Sequence, residues 1–174
     1  LWVTFHGRSA HASAPERAVN PNYALASFLQ RLAPASAELP AHELLGPTTV
    51  SPTIVKVDTT SPNVTPAWAR VLLDFRTAAA SPDDLVAFVH RWAGEAPHTV
   101  GDCWAVDPEA PPAPDARPVV GFYTPPDHPA VIRSRALLAE GTGREPALAT
   151  YRFATDGRHM TALGAAIVGY SPAE

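Results

Sequence analysis

The sequence predicts an α+β domain whose elements follow the order β-α-β-β-α-β over residues 1–106. Apolar and polar residues alternate, as in strands, at residues 1–5 and most regularly at residues 67–76. Apolar residues recur at helical spacing over residues 21–32 and again in a segment that begins at Ser81. This order is the ferredoxin-like arrangement, in which two helices cover one face of an antiparallel sheet.

A polar loop, GRSAHASAPERAV, joins the first strand to the first helix. Leu1, Val3 and Phe5 share one face of the strand, as a period of two requires. Asn20 and Pro21 form an N-cap followed by a proline at the first helical position, which predicts the start of the helix. The apolar stripe of this helix comprises Leu25, Phe28, Leu29 and Leu32.

The second and third strands differ in how they fit a sheet. Residues 48–57 are rich in β-branched side chains, but Pro52 cannot donate to a neighbour and predicts a sheet edge or a bulge. After the turn SPNVTP, residues 67–76 alternate cleanly. One face carries Ala69, Val71, Leu73 and Phe75, and the other carries Arg70, Asp74 and Arg76. We therefore expect one face of this strand to be core and the other to be charged.

The second helix is predicted to start at Ser81 and Pro82. Asp83 and Asp84 lie in its first turn, where the helix dipole favours acids. Its predicted buried stripe is Leu85, Phe88, Val89 and Trp92. A last strand at residues 99–106 completes the domain.

The rest of the chain differs in composition. Eight prolines fall among the 22 residues from 108 to 129, which predicts an extended connector at residues 107–126. Residues 127–174 then predict a helix capped by His128 and Pro129, a short helix that runs from Thr155 to Gly164, and a buried strand at residues 165–170. The apolar residues of the first of these helices are Val131, Ile132, Leu137 and Leu138. This segment is too small to bury a core alone.

The composition of the chain excludes some classes of function and favours one cellular location. The net charge is −4 and Lys56 is the single lysine, so no basic run is available to follow a nucleic-acid backbone. No apolar run is long enough to cross a membrane. A single cysteine, Cys103, favours a reducing cytoplasm. Because the chain begins at Leu1 within a strand pattern, we expect the natural protein to continue upstream.

Without reference to any family, the residues show no clear pattern of a metal site or a catalytic site. The seven histidines are scattered, and none has cysteine or acidic neighbours at metal-ligand spacing. No nucleophile stands beside an evident base. An isolated histidine is usually a surface residue or a cap.

Three segments taken together are more informative. GRSAHASAPERAVNPN, SPNVTPAWARVLLDFR and RFATDGRHMTALGAAIVGYSPAE resemble, in this order, segments of the zinc-dependent aminoacylases and deacylases. Acetylornithine deacetylase, succinyl-diaminopimelate desuccinylase and carboxypeptidase G belong to that family. The resemblance implies an α/β zinc domain interrupted by a ferredoxin-like lid that also forms a dimer. Residues 127–174 would then be a C-terminal fragment of the catalytic α/β domain.

The resemblance assigns roles to individual residues. His11 would reach the active site of the partner subunit and donate a hydrogen bond to the scissile carbonyl oxygen as it becomes an oxyanion. Asn63 would contact substrate from the same lid, although an asparagine in a turn is also common for backbone reasons. Arg76 would bind a substrate carboxylate, with an exposed cross-strand ion pair as the alternative. Further substrate contacts would come from Thr155, Asp156, Gly157 and Arg158 at the start of a short helix, with an ordinary N-cap as the alternative role of Asp156.

The zinc ligands of the family have no counterparts in this sequence. The resemblance places one group of them before Leu1 and the last histidine beyond Glu174. We therefore expect these 174 residues alone to bind no zinc and to be inactive.

Two hypotheses of different classes follow. In the first, the parent enzyme is a homodimer with one or two zinc ions that hydrolyses the amide bond of an N-acyl amino acid or small peptide. In the second, the chain is a stand-alone ferredoxin-like dimerisation or ligand-binding module without catalysis. An RNA-binding module of the same topology is excluded because its aromatic strand motifs are missing and the charge is wrong.

Overall fold

The computed structural model describes residues 1–77, 80–101, 121–151, 155–161 and 163–171. Its strands are β1 (Trp2–His6), β2 (Ala10–His11), β3 (Ala41–His42), β4 (Gly46–Pro47), β5 (Thr49–Val57), β6 (Val64–Thr65), β7 (Trp68–Arg76) and β8 (His98–Gly101). Its helices are α1 (Pro21–Ala35), α2 (Pro82–Ala93), α3 (Pro129–Thr142) and α4 (Gly157–Thr161), with short 3₁₀ turns at Pro15–Arg17 and Ser36–Glu38.

Four of the strands form one antiparallel sheet in the order β5-β7-β1-β8. With α1 and α2 on one face, this is the β-α-β-β-α-β topology that the sequence predicts, and the predicted fold class is confirmed. The last strand is described over His98–Gly101, where it starts one residue before the predicted range, and residues 102–106 lie outside the described part of the chain.

The core lies between this sheet and the two helices. Alternate residues of β1 and β7 point toward the helices, and the register Val3↔Val71 brings the two central strands together there. Phe5 stacks on Phe28 of α1 with ring centroids 5.5 Å apart. The core residues are Val3, Phe5, Leu25, Phe28, Leu32, Ala69, Val71, Leu73, Leu85, Phe88 and Val89, together with smaller neighbours. The predicted inward face of β7 is thus confirmed.

Helix α1 begins as predicted but ends later. The Asn20 side chain accepts a hydrogen bond from the Asn22 N–H, and Pro21 follows as the first helical residue. The helix then runs to Ala35 and includes Pro34, which cannot donate to the preceding turn. Ala35 is buried against the core, so packing outweighs the loss of this one hydrogen bond.

Helix α2 has a complete capping box. The Ser81 hydroxyl accepts from the Asp84 N–H, and the Asp84 carboxylate accepts from the Ser81 N–H. Ala93 completes the buried stripe, whereas Trp92 is only half-buried at its edge.

Strand β5 forms an edge of the sheet and is poorly covered. Its pairing with β7 shifts between Pro52 and Ile54, so both the predicted edge position and the predicted irregularity at Pro52 are confirmed. Helix α1 packs on β1 and β7, and α2 packs on β8. Val55 and Val57, which pair with inward-facing residues of β7, therefore remain 56% and 39% exposed.

The C-terminal segment departs from two expectations. Helix α3 is capped by His128 and ends at Gly143 in the left-handed conformation, as the sequence indicates, but Ile132 and Leu137 are more than half exposed. Residues 165–170 form no strand, and Val168 and Tyr170 are exposed. A strand needs a hydrogen-bonded neighbouring strand, and residues 165–170 pair with none among the described residues, although the Thr124 hydroxyl donates to the Ile167 carbonyl at 2.8 Å. Most of the predicted connector, residues 107–120, lies outside the described chain.

No helix among the described residues is long and apolar enough to cross a lipid bilayer.

Candidate functional site

His11 and Asn63 lie side by side at one end of the main sheet. His11 ends β2, and Asn63 immediately precedes β6, which pairs with β2 in an antiparallel ladder. The Ala12 N–H donates to the Asn63 carbonyl oxygen at 2.8 Å, which extends the ladder by one hydrogen bond. Main-chain pairing therefore joins the two loops that carry these residues.

The base of the His11 loop is closed by backbone contacts. The Gly7 N–H donates to the Ala67 carbonyl at 2.7 Å, and Arg8 and Val19 exchange hydrogen bonds of 2.9 and 3.0 Å. A Cβ atom on Gly7 would lie 2.1 Å from the Val19 oxygen and 2.7 Å from Cδ of Pro21. Only a residue without a side chain allows the loop to close in this way.

The Asn63 turn is closed by a carboxylate. Asp58 accepts from the Ala67 N–H, with distances of 3.0 and 3.2 Å to its two oxygens, and from the Trp68 N–H at 3.4 Å. Asp58 is not among the predicted site residues. The signal in the sequence that could have identified it is its position, directly between the β-branched strand and the polar run TTSPN, where an aspartate commonly accepts from main-chain N–H groups.

Four exposed polar side chains form a chain of contacts around the His11 ring. Nδ1 of His11 lies 2.7 Å from the Ser13 hydroxyl and accepts from the Ser13 N–H at 3.2 Å. Nε2 lies 3.2 Å from the side-chain amide of Asn63, which in turn contacts the Ser61 hydroxyl at 2.6 Å. The structure thus brings together two predicted site residues, His11 and Asn63. Ser13 and Ser61 belong to the same chain of contacts, and neither was among the predicted site residues.

Arg76 lies at the opposite end of β7. Eight residues separate it from Trp68, or about 26 Å at about 3.3 Å per strand residue. Its guanidinium forms two contacts with Asp74, Nε to Oδ1 at 2.7 Å and Nη2 to Oδ2 at 2.8 Å, and both side chains are substantially exposed. The structure therefore shows an exposed ion pair within one strand, and not the cross-strand pair of the alternative prediction, and it does not bring Arg76 to His11 within one chain.

The C-terminal candidates surround the start of α4, which is a single short turn of helix. Gly157 has a packing role there, because a Cβ atom would lie 2.8 Å from Cγ2 of Ile167 and 3.0 Å from Cζ of Phe122. Thr155 is half-buried and Asp156 is exposed, and the Arg158 side chain lies outside the described part of the chain. A substrate contact from these four residues stays a prediction.

The described residues do not form a metal centre. Nowhere in them do three or more histidine, cysteine or acidic side chains converge in a way that could hold a metal ion. The chemistry available at the His11 site is therefore hydrogen bonding by imidazole, hydroxyl and amide groups.

Comparison with known proteins agrees with the resemblance. The family model for the peptidase dimerisation domain matches residues 1–99. Succinyl-diaminopimelate desuccinylase of Roseobacter denitrificans is 31% identical over 181 residues, covering 98% of this chain and 44% of that protein. The chain thus spans less than half the length of this relative.

Solved structures show the same fold. Aminopeptidase PepT of Bacillus cereus aligns with a TM-score of 0.61 at 19% identity, over 94% of this chain and 40% of that one. A tripeptidase of Staphylococcus aureus aligns with a TM-score of 0.58 at 17% identity, with the same coverage. The chain belongs to the M20 peptidase family, and residues 1–99 are its peptidase dimerisation domain.

Proposed function

We propose that this chain is the lid and part of the catalytic domain of a metal-dependent hydrolase that cleaves the amide bond of N-acyl amino acids or small peptides. One observation carries the proposal: the exposed His11 and Asn63 side chains meet at the end of the sheet, within the residues that match the dimerisation domain. The desuccinylase relative supports a hydrolase that acts on an N-acyl group.

In this proposal His11 donates a hydrogen bond from Nε2 to the carbonyl oxygen of the scissile amide. The bond strengthens as negative charge develops on that oxygen, and one such donor contributes about 3 kcal/mol to transition-state stabilisation. Asn63 would contact the substrate beside it. Because the ring of His11 is exposed, it is free to approach a substrate held by another part of the enzyme.

We propose that His11 acts on the active site of a partner subunit and that Arg76 binds a substrate carboxylate there. The length of β7 separates the two residues within one chain, so a single copy does not present both to one small substrate. A second copy would have to supply one of them, which is consistent with a dimerisation domain.

We propose zinc as the metal of the complete enzyme on the basis of the resemblance. Zinc would polarise the carbonyl group and activate water. Because the described residues of this chain do not fit a metal centre, we assign no ligand to them. The cytoplasmic location remains our inference from the single cysteine.

Replacing His11 with alanine in the complete enzyme tests the proposal. We expect kcat to fall by about 10²-fold or more with little change in KM, because the interaction is made mainly in the transition state. His6→Ala is the matched control, since His6 is an exposed histidine at the end of β1 whose ring contacts Thr99 instead. If His11→Ala hydrolyses N-acyl amino acids as fast as the unmodified enzyme, the proposed role of His11 is wrong. If the unmodified complete protein hydrolyses neither N-acyl amino acids nor small peptides, the non-catalytic module becomes the better hypothesis.

A further inference from the structure

We propose that Ser13 is a positioning residue that holds neutral His11 in the tautomer with its proton on Nε2. The effect of this tautomer on the reaction rests on the proposed function above. The tautomer itself does not, because it follows from hydrogen-bond geometry within the lid.

The decisive contact involves the main chain of Ser13. Its N–H lies 3.2 Å from Nδ1 of His11 and can only donate, so Nδ1 must present a lone pair. The Ser13 hydroxyl, 2.7 Å from the same nitrogen, can donate to it as well. A neutral imidazole carries one proton, which must then be on Nε2.

The other side of the ring then requires the Asn63 amide to be exchanged end for end. Its nitrogen is placed 3.2 Å from Nε2 of His11 and its oxygen 2.6 Å from the Ser61 hydroxyl, and a neutral ring that accepts at Nδ1 cannot also accept at Nε2. The oxygen and nitrogen of an amide have nearly the same size, and their placement is inferred from hydrogen bonding. With the oxygen toward His11 and the nitrogen toward Ser61, both contacts pair a donor with an acceptor.

The backbone gives this arrangement its rigidity. The Ala14 N–H donates to the His11 carbonyl at 2.9 Å and closes a tight turn. This turn carries Ser13 to the Nδ1 side of the ring, while the ladder from β2 to β6 fixes Asn63 on the Nε2 side. Nδ1 of His11 thus faces a residue inside a hydrogen-bonded turn, and Nε2 faces a residue whose carbonyl accepts from the Ala12 N–H.

The tautomer determines what His11 offers to a substrate. With the proton on Nε2, the ring presents a donor at the position that the Asn63 oxygen occupies, and a carbonyl oxygen can take that place. With the proton on Nδ1, Nε2 would present a lone pair and repel a developing negative charge. Ser13 would therefore affect the rate through His11 without touching the substrate.

Nuclear magnetic resonance of the 174-residue chain with ¹⁵N-labelled histidine tests the assignment directly. At about pH 8.5, well above the ordinary histidine pKa of about 6.5, the two ring nitrogen shifts report which nitrogen holds the proton. We expect His11 to carry it on Nε2. Ser13→Asp puts a carboxylate in the place of the hydroxyl that lies 2.7 Å from Nδ1. A carboxylate only accepts, and its charge-assisted bond to a proton on Nδ1 is stronger than the 3.2 Å main-chain contact with which it competes, so the proton should move to Nδ1. Ser9→Asp adds the same charge to the same exposed loop and should leave the proton on Nε2.

Kinetics of the complete enzyme provide the second readout. Ser13→Asp should lower kcat by about 10²-fold, as loss of the donor would, with KM little changed. Ser13→Thr keeps the hydroxyl and should retain most of the activity, as should Ser9→Asp. A His11 ring with its proton on Nδ1 in the unmodified chain, or one that stays on Nε2 in Ser13→Asp, would overturn the inference. If the tautomer is as expected but His11→Ala leaves kcat unchanged, the proposed function fails and the assignment of the tautomer stands.

Discussion

Gly7 determines whether the His11 loop can close, although it contributes no side chain to the site. We expect Gly7→Ala to lower the free energy of unfolding by roughly 1–3 kcal/mol, as overpacking typically does, because the added Cβ would meet the Val19 carbonyl and the Pro21 ring. Urea unfolding followed by tryptophan fluorescence measures the change.

Gly101→Ala is the matched control for this substitution. Gly101 is a strand residue around which a Cβ atom would find open space, and we expect a change below about 1 kcal/mol. Equal losses in the two variants would show that the close approach at Gly7 does not limit stability.

The sequence identified part of the site through the resemblance, and the structure explains the remainder. His11 and Asn63 are 52 residues apart, and the structure places their side chains in contact. Ser13 contacts His11 and Ser61 contacts Asn63, each pair lying two residues apart in a loop. In a loop, neither a helical nor a strand period indicates which side chains meet. Such contacts follow from the turn geometry and are visible only once the backbone is known.

Among the elements, α2 contributes a stability that depends on pH, because its capping box contains the carboxylate of Asp84. The Ser81 hydroxyl and then the Ser81 N–H donate to the Asp84 carboxylate and lower its pKa below the ordinary value. A carboxyl group whose pKa is lower in the folded state stabilises the fold above its unfolded pKa of about 3.9. This contribution is lost as the pH falls through the lower, folded pKa.

We therefore expect Asp84→Asn to lower the melting temperature at neutral pH, and the difference from the unmodified chain to shrink as the pH falls below about 4. Thermal unfolding followed by circular dichroism, at several pH values from neutral to below about 4, measures the melting temperatures of the variant and of the unmodified chain. Asp83→Asn is the control, because Asp83 lies in the same first turn but outside the capping box. A difference that stays constant down to acid pH would contradict the assignment.

Most elements were predictable because local signals and burial agree. Asn20, Ser81 and His128 cap the helices they were expected to cap. The errors arise where tertiary contacts decide: Ala35 extends α1 past its apparent end, and residues 165–170 form no strand because no described strand lies beside them. The exposed stripe of α3 has the same cause.

At the scale of the whole molecule, we expect the 174-residue chain to hold no stoichiometric zinc and to leave N-acyl amino acids intact. The described residues offer no cluster of three metal-ligating side chains. Elemental analysis after dialysis against a mild chelator measures the metal, and release of free amino acid measures hydrolysis. One zinc ion retained per chain would refute this expectation.

We also expect the chain to self-associate through β5 and the uncovered face beside it. The strand is an unpaired edge, and Val55 and Val57 are exposed next to it. Light scattering at high micromolar concentration should give the mass of a dimer for the unmodified chain, and Val55→Lys should shift it toward a monomer. Ile132→Lys places the same charge on the exposed side of α3 and should leave the mass unchanged.

Subunit mixing links this interface to catalysis. Subunits that carry His11→Ala, mixed with subunits disabled at the metal site, should regain activity, because one site of each heterodimer pairs an intact metal centre with an intact lid. If subunit exchange is verified and no activity returns, His11 does not act across the interface.

The ladder between β2 and β6 also bears on how such a lid can change during evolution. The spacing between the His11 and Asn63 backbones is set by main-chain hydrogen bonds, including that from Ala12 to the Asn63 carbonyl, and not by the side chains themselves. Positions 61 and 63 can therefore exchange residue types while the frame that holds them keeps its shape. Under the proposed function, single substitutions at these two positions would change the acyl-group preference, while the ladder keeps the backbone of the histidine at a fixed distance from them.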